Sequence, residues 1–93
     1  PFLTGFEAPT GLTCARDGVV YVTDVSAGTI TEVGLADRHR RLVMKDLKRP
    51  EGIVLAADSA LYVAEVGTRR LLRIPTNGQL AADDRAVRYR PTA

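Results

Sequence analysis

Two carboxylates end similar apolar stretches of this chain: Asp24 ends VVYVTD (19–24) and Glu65 ends ALYVAE (60–65). A carboxylate at the end of a strand can accept hydrogen bonds from the backbone N–H groups of the following turn. Carboxylate oxygens are also the ligands that Ca²⁺ and Mg²⁺ prefer. Because both residues follow the same kind of stretch, we expect each to hold its own turn, with ligand binding as the alternative.

The other reactive side chains form no recognised catalytic motif. Cys14 lies in an apolar stretch, GLTCA (11–15), where a buried and inert thiol is expected. His39, the only histidine, lies in DRHRRL (37–42) and is not close to Cys14 in the sequence. The chain has no GxSxG, no HExxH and no glycine-rich phosphate loop. We therefore predict no catalytic residue, and enzymatic activity is left open.

The chain repeats itself with a period of 41 residues. Identical residues recur at this spacing without any insertion: Gly11 and Gly52, Asp17 and Asp58, Tyr21 and Tyr62, Val22 and Val63, and the series Pro9, Pro50 and Pro91. A period between about 20 and 50 residues is typical of repeat architectures, in which each unit covers its neighbour.

Each repeat has the pattern of four short strands. The predicted strands are 11–15, 19–24, 28–33 and 40–44 in the first repeat, and 52–56, 60–65, 69–74 and 85–89 in the second. Residues 19–22 are apolar on both faces of their strand, as expected for a sheet covered on both sides. Four strands per unit and a period of about 40 to 45 residues describe a β-propeller blade. We predict an all-β fold of two four-stranded antiparallel blades, at 9–49 and 50–90, preceded at 1–8 by the outer strand of a preceding blade.

The repeats resemble blades of the propeller superfamily that includes NHL repeats, the senescence-marker and gluconolactonase-like group, and streptogramin lyases. The resemblance covers about residues 9–75. It rests on PTGL and PEGI before the first strand, DGVVYVTD and DSALYVAE across the second, and GTI and RRL at the start of the third. It identifies blades and not an activity. A lyase of the streptogramin type would require a histidine at the mouth of the central channel, whereas His39 is predicted on an outer strand.

This resemblance implies a ligand site at the mouth of the central channel, where the loops that enter the first strand and leave the second strand converge. The residues at these positions are Thr10, Glu51, Asp24 and Glu65. In the gluconolactonase-like group a carboxylate near the start of a first strand helps to hold a divalent metal, and Glu51 looks like this residue. One glutamate does not complete a site, so no cofactor is expected from the chain alone. Binding of Ca²⁺ or another divalent cation would need ligands from further blades or from copies of Glu51.

Two blades do not close a propeller, because closed rings have about four to eight blades and each blade covers its neighbours. Two apolar blade faces would therefore be open to further association. The partners we expect are copies of the same chain, of which three would complete a six-bladed ring, or the remaining blades of a parent chain. The opening PFLTGF, without an initiating Met, favours a processed or excised piece.

Composition supports one small folded unit of 93 residues with a formal net charge of +2. The arginines have acidic residues nearby, and no aromatic residues alternate with them, so we expect no nucleic-acid partner. No apolar run approaches the roughly 18 residues of a membrane span, so no membrane partner is expected. One cysteine excludes an internal disulfide and leaves the cellular compartment open.

Overall fold

The computed structural model describes residues 3–15, 17–76 and 87–89. Its strands are β1 (Pro9–Cys14), β2 (Val19–Asp24), β3 (Thr29–Gly34), β4 (Arg40–Met44), β5 (Pro50–Leu55), β6 (Ala60–Glu65), β7 (Arg70–Pro75) and β8 (Val87–Tyr89). A single 3₁₀ turn, Val66–Thr68, follows β6. Within these described ranges no helix has the length and apolarity that a membrane span requires.

The strands form two antiparallel four-stranded sheets. The first sheet has the order β1-β2-β3-β4 and the second sheet the order β5-β6-β7-β8. From β1 to β4 and from β5 to β7, connections of four or five residues join strands that are neighbours in sequence, and these strands pair. Each predicted strand begins and ends within two residues of an observed strand, so the all-β prediction with two four-stranded antiparallel sheets is confirmed.

The first strand of each sheet begins with the same feature, a shift in its pairing register. The register shifts between Pro9 and Gly11 where β1 pairs with β2, and it shifts between Pro50 and Ile53 where β5 pairs with β6. Such a bulge bends the strand and increases its twist. Beyond the bulge, Pro9 lies opposite Asp24 and Pro50 lies opposite Glu65. The start of each first strand is therefore next to the end of each second strand.

The two sheets stack face to face through a shared apolar core. We call the side of each sheet that carries Val20 or Leu61 its leading face, and the side that carries Tyr21 or Tyr62 its trailing face. The trailing face of the first sheet packs on the leading face of the second, and the buried core contains Tyr21, Ile30, Leu47, Ile53, Leu61, Val63, Leu72 and Ile74. Full burial of one such aliphatic side chain contributes about 1.5 to 3 kcal/mol.

The segment before β1 lies over the leading face of the first sheet. Leu3 and Phe6 pack against a small cluster of Val20, Val22 and Val33. Phe6 precedes Leu47 by one repeat, and Leu47 packs in the same way on the second sheet. Residues 3–8 contain no strand, unlike the outer strand predicted over 1–8, because a strand needs a partner and no preceding sheet is present to pair with it. Residues 1–2 lie outside the described part.

Candidate functional site

All four residues proposed for the channel mouth lie at one end of the two sheets. Thr10 and Glu51 are the second residues of β1 and β5, and Asp24 and Glu65 are the last residues of β2 and β6. The antiparallel register explains this arrangement, because it places the start of each first strand beside the end of the second. The structure thus places the four predicted residues at the same end, where they have different hydrogen-bond and ion-pair partners.

Asp24 is buried and accepts four backbone hydrogen bonds. Its Oδ1 accepts from the N–H groups of Ala8 (3.0 Å), Ser26 (3.1 Å) and Ala27 (3.0 Å), and its Oδ2 accepts from Glu7 (2.7 Å). Burial acts to raise the pKa of the carboxyl, but the N–H donors outweigh burial and keep the pKa below its ordinary value. The prediction that this carboxylate holds the turn after its strand is confirmed. A ligand role for Asp24 stays a prediction.

Glu65 repeats this arrangement one period later with fewer donors. Its Oε2 accepts from the N–H of Lys48 at 2.8 Å, and its Oε1 accepts from the hydroxyl of Thr68 at 2.6 Å. The following turn therefore contributes a side-chain hydroxyl and not a backbone N–H. A ligand role for Glu65 likewise stays a prediction.

Asp24 and Glu65 both fasten the segment that enters their own sheet. The N–H of Val25 donates to the carbonyl of Ala8 at 3.0 Å, and one repeat later the N–H of Val66 donates to the carbonyl of Arg49 at 2.9 Å. Together with the carboxylate bonds, these contacts hold the incoming segment against the end of the second strand in both sheets. The oxygens of the two carboxylates are thus already engaged by the chain.

Threonine hydroxyls on β1 and β2 join the first sheet to β5 of the second sheet. The Thr10 hydroxyl donates to the carbonyl of Pro50 at 3.2 Å, and the Thr23 hydroxyl donates to the carbonyl of Glu51 at 3.0 Å. Further along, the N–H of Leu55 donates to Thr13 at 3.1 Å. Sequence reasoning missed Thr13 and Thr23. The available signal was that the second repeat has Val54 and Ala64 at the matching positions, so only the first repeat carries hydroxyls there.

Glu51 is partly exposed and pairs with a neighbouring cation. Its Oε2 lies 3.1 Å from Nη2 of Arg49. Within the described ranges, no group of three or more His, Cys, Asp or Glu residues is arranged to hold a metal ion. A divalent cation needs several oxygen ligands at once, so the donors that the structure describes around Glu51 do not fit one. The cation expected from the resemblance would require oxygens from outside this pair of sheets.

The remaining candidate side chains lie at the opposite end of the first sheet. His39 lies between two carboxylates, with Nε2 2.8 Å from Glu32 and Nδ1 2.7 Å from Asp37. The hydrogen bond to Glu32, followed by that to Asp37, raises the pKa of His39. Cys14, at the end of β1, is exposed, so the prediction of a buried thiol is wrong. The reason is that β1 is an edge strand with no further sheet over its leading face.

Solved structures with the same architecture cover 72% to 92% of the chain. A streptogramin B lyase matches with a TM-score of 0.75 at 15% identity over 92% of this chain, and the PQQ-bound aldose sugar dehydrogenase from Streptomyces coelicolor matches with a TM-score of 0.74 at 19% identity over 91%. A chain of the nidogen/laminin complex matches with a TM-score of 0.63 at 28% identity over 72%. All of these are β-propeller structures.

The chain forms two blades of a β-propeller. The first sheet is its first blade and the second sheet its second blade. The chain spans only 27% to 29% of the length of the propeller chains that it matches. No protein-family model and no curated protein matches the sequence. The likeness therefore establishes the blade fold and leaves activity to be argued from the residues.

Proposed function

We propose that this chain is an assembly unit of a closed β-propeller, in which further blades pack against its two open faces and the completed ring serves as a binding scaffold. Repeat proteins bury their apolar faces by stacking, so a unit with an uncovered face at each end is suited to association. The open faces here are the leading face of the first blade and the trailing face of the second blade.

The observation that carries this proposal is the exposure of matched repeat positions. Leu12 and Ile53 are one period apart, yet Leu12 is 59% exposed and Ile53 is 8% exposed. On the other side of the blades, Ile30 is 0% exposed and its counterpart Leu71 is 43% exposed. The more buried residue of each pair lies between the blades. The exposed residues therefore occupy positions where a neighbouring blade would cover them.

The two open faces are complementary in the same way as the two faces that already pack. The leading face of the first blade forms an apolar groove of about 250 Å³, lined by residues that include Phe6, Leu12, Val20, Val22 and Leu35. The trailing face of the second blade carries Val54, Tyr62 and Leu71 at the positions of Thr13, Tyr21 and Ile30. The leading face of one copy can thus receive the trailing face of another, and three copies would supply six blades. The remaining blades of a parent chain are the other source of the same surfaces.

The scaffold role rests on the end of the blades where the first strands begin. Asp24 and Glu65 are engaged by backbone N–H groups and, for Glu65, by the Thr68 hydroxyl, so Glu51 and the exposed start of β1 at Thr10 are the predicted positions left to face a ligand. A metal-dependent hydrolase of the gluconolactonase type has less support, because Glu51 pairs with Arg49 and has too few oxygen ligands around it among the described residues. If that activity nevertheless belonged to the chain, added Ca²⁺ would raise the melting temperature of the wild type and not that of Glu51→Ala.

A pair of matched substitutions tests the assembly proposal. Leu71→Asp places a charge on the open trailing face, so we expect it to reduce the mass of the assembly while the circular dichroism of the strands is kept. Ile30→Asp places the same charge between the two blades and should unfold the chain, because an unpaired buried charge is among the most damaging changes. An assembly whose mass is unaffected by Leu71→Asp would rule out this face as the contact.

A further inference from the structure

A cavity lies between the two blades at the end opposite to the channel-mouth candidates. Its volume is about 440 Å³, and residues of both blades line it, among them Asp17, Tyr21, Leu55, Ala56, Ser59 and Thr76. Ligand cavities in proteins have volumes of about 300 to 1,000 Å³ and combine apolar walls with a few polar groups. This cavity combines a carboxylate, a phenol and hydroxyls with small apolar side chains, so its size and lining suit a small organic molecule.

In the second blade, the carboxylate at the position of Asp17 has partners that the structure shows. Asp58, one period after Asp17, accepts a hydrogen bond from the Tyr62 hydroxyl at 2.9 Å. The Arg73 guanidinium completes the group, with Nη2 3.3 Å from Oδ2 of Asp58 and Nε 3.2 Å from the Tyr62 hydroxyl oxygen. The carboxylate and phenol of the second blade are thus joined by a planar cation. The N–H of Ala60 also donates to Asp58, at 3.0 Å.

The first blade has a carboxylate and a phenol at the same repeat positions as the second blade, but it has no arginine at the third position. Asp17 and Tyr21 match Asp58 and Tyr62, whereas Glu32 replaces Arg73. Glu32 is directed to Arg41 and His39 on the outer side of the blade. Within the part of the chain that the structure describes, Asp17 has no hydrogen bond and no ion pair. The first blade therefore places an unpaired carboxylate beside a cavity at the position where the second blade has an arginine partner.

Asp17 is the charged side chain among the described residues that line the cavity. Burial, followed by the negative charge of Glu32, raises the pKa of the Tyr21 phenol, and Asp17 adds to this effect, whereas a hydrogen bond with Thr76 and the positive charge of Arg41 act to lower it. The Thr76 hydroxyl donates to the carbonyl of Ser59 and is paired with the Tyr21 hydroxyl, so both hydroxyls lie on the cavity wall with lone pairs that can accept. These groups favour a ligand that carries positive charge and several N–H donors.

We propose that this cavity binds a small organic cation with a guanidinium group, held by Asp17 and Tyr21 as Asp58 and Tyr62 hold Arg73. A guanidinium offers planar N–H donors that match a carboxylate, and its alkyl body would pack against Leu55 and Ala56. Both walls belong to this chain, so the site does not depend on the assembly proposed above.

The test is a titration of the whole chain with N-butylguanidinium, followed by amide chemical shifts or calorimetry. N-butylurea is the matched control ligand, since it has a similar planar head without the charge. We expect the guanidinium to bind and the urea to bind at least about tenfold more weakly, because hydrogen bonds to charged groups are the stronger ones. Equal affinities, or no guanidinium binding at millimolar concentration, would overturn the proposal.

Two variants assign the binding to the cavity. Asp17→Asn keeps a good turn residue before Gly18, so the chain should stay folded while its affinity for the guanidinium falls at least about tenfold. Ala56→Leu should abolish binding by filling the space, with the folded state checked by circular dichroism. Unchanged affinity in folded Asp17→Asn would contradict the proposal.

Arg16 lies outside the described residues, and the titration is therefore repeated with Arg16→Gln. We expect the affinity for the guanidinium to be kept or increased within a fewfold. Binding that appears only in Arg16→Gln would contradict the proposal, because the chain itself would then supply the cation.

Discussion

Gly11 lies so close to Glu51 of the second blade that a Cβ atom on Gly11 would be 2.4 Å from the Glu51 carbonyl oxygen. Its counterpart Gly52 has no such neighbour, since the nearest atom to a Cβ at Gly52 would be the Ala64 Cβ at 3.9 Å. The innermost strands of adjacent blades thus approach each other at a glycine. The second blade carries the same glycine at its open edge, where the next blade would lie.

This pair of glycines gives a matched prediction. Gly11→Ala should lower the free energy of unfolding by about 1 to 3 kcal/mol, because the methyl group must displace backbone atoms. Gly52→Ala should have little effect on the unfolding of a single chain, but it should weaken assembly by pushing the next blade away. Urea denaturation and the solution mass separate the two effects. An assembly that tolerates Gly52→Ala as well as the wild type does would speak against a blade at that edge.

Asp24→Asn should destabilise the chain by about 1 to 3 kcal/mol, because the amide group would face the N–H of Glu7 donor to donor. The native pKa of Asp24 is lowered, so the ionised carboxylate contributes stability above its unfolded pKa of about 3.9 and loses that contribution as the pH falls through the native pKa. The free energy of unfolding of Asp24→Asn, measured by urea denaturation, should therefore fall furthest below that of the wild type at neutral pH. This difference should shrink below about pH 4. A difference that does not change with pH would contradict this account of Asp24.

His39 should make the stability of the first blade depend on pH near neutrality. Its pKa is raised by Glu32 and Asp37, so its contribution is complete below the unfolded pKa of about 6.5 and is lost as the pH rises through the native pKa. Melting temperatures measured from pH 5 to pH 9 should decline over this window in the wild type. His39→Gln should flatten the decline, and the same slope in both proteins would mean that other groups cause it.

Arg69→Gly should stabilise the second blade. Arg69 has φ 59°, and its counterpart Gly28 in the first blade has φ 70°. A left-handed conformation costs a residue with a side chain about 1 to 2 kcal/mol, and the greater freedom of glycine in the unfolded chain offsets part of this gain. We expect a net increase of about 0.5 to 1 kcal/mol in the free energy of unfolding. Gly28→Ala is the control, and it should lower the free energy of unfolding, because the alanine Cβ would lie 2.5 Å from the Leu47 carbonyl oxygen.

The 41-residue period was sufficient to predict the blades because it records which residues face a covered surface. Strand β2 is apolar on both sides and is buried on both sides, as its sequence indicated. The turn role of Asp24 was also predictable, since strand-end carboxylates commonly bind the next turn. The bonds of Asp24 to Glu7 and Ala8 were not predictable, because they depend on where the incoming segment docks after folding.

Residues at matching positions of the two repeats can have different surroundings, which the repeat pattern alone does not predict. Cys14 was expected to be buried because it lies in an apolar stretch, but a repeat position is covered only where a neighbouring blade exists. Asp17 and Asp58 are identical residues at one repeat position, so the repeat alone does not distinguish them. Only the structure separates them, because it places Arg73 beside Asp58 and an open cavity beside Asp17.

The most direct test of the central claim is the solution mass of the wild-type chain by light scattering on a size-exclusion column. If copies of the chain cover each other's open faces, the mass should be about 30 kDa, three times the 10.1 kDa of one chain. A chain that needs the blades of a parent protein should instead aggregate, and it should regain solubility when those blades are supplied. A stable monomer of 10.1 kDa that remains soluble at high concentration would contradict the claim, because its two open blade faces would then need no partner.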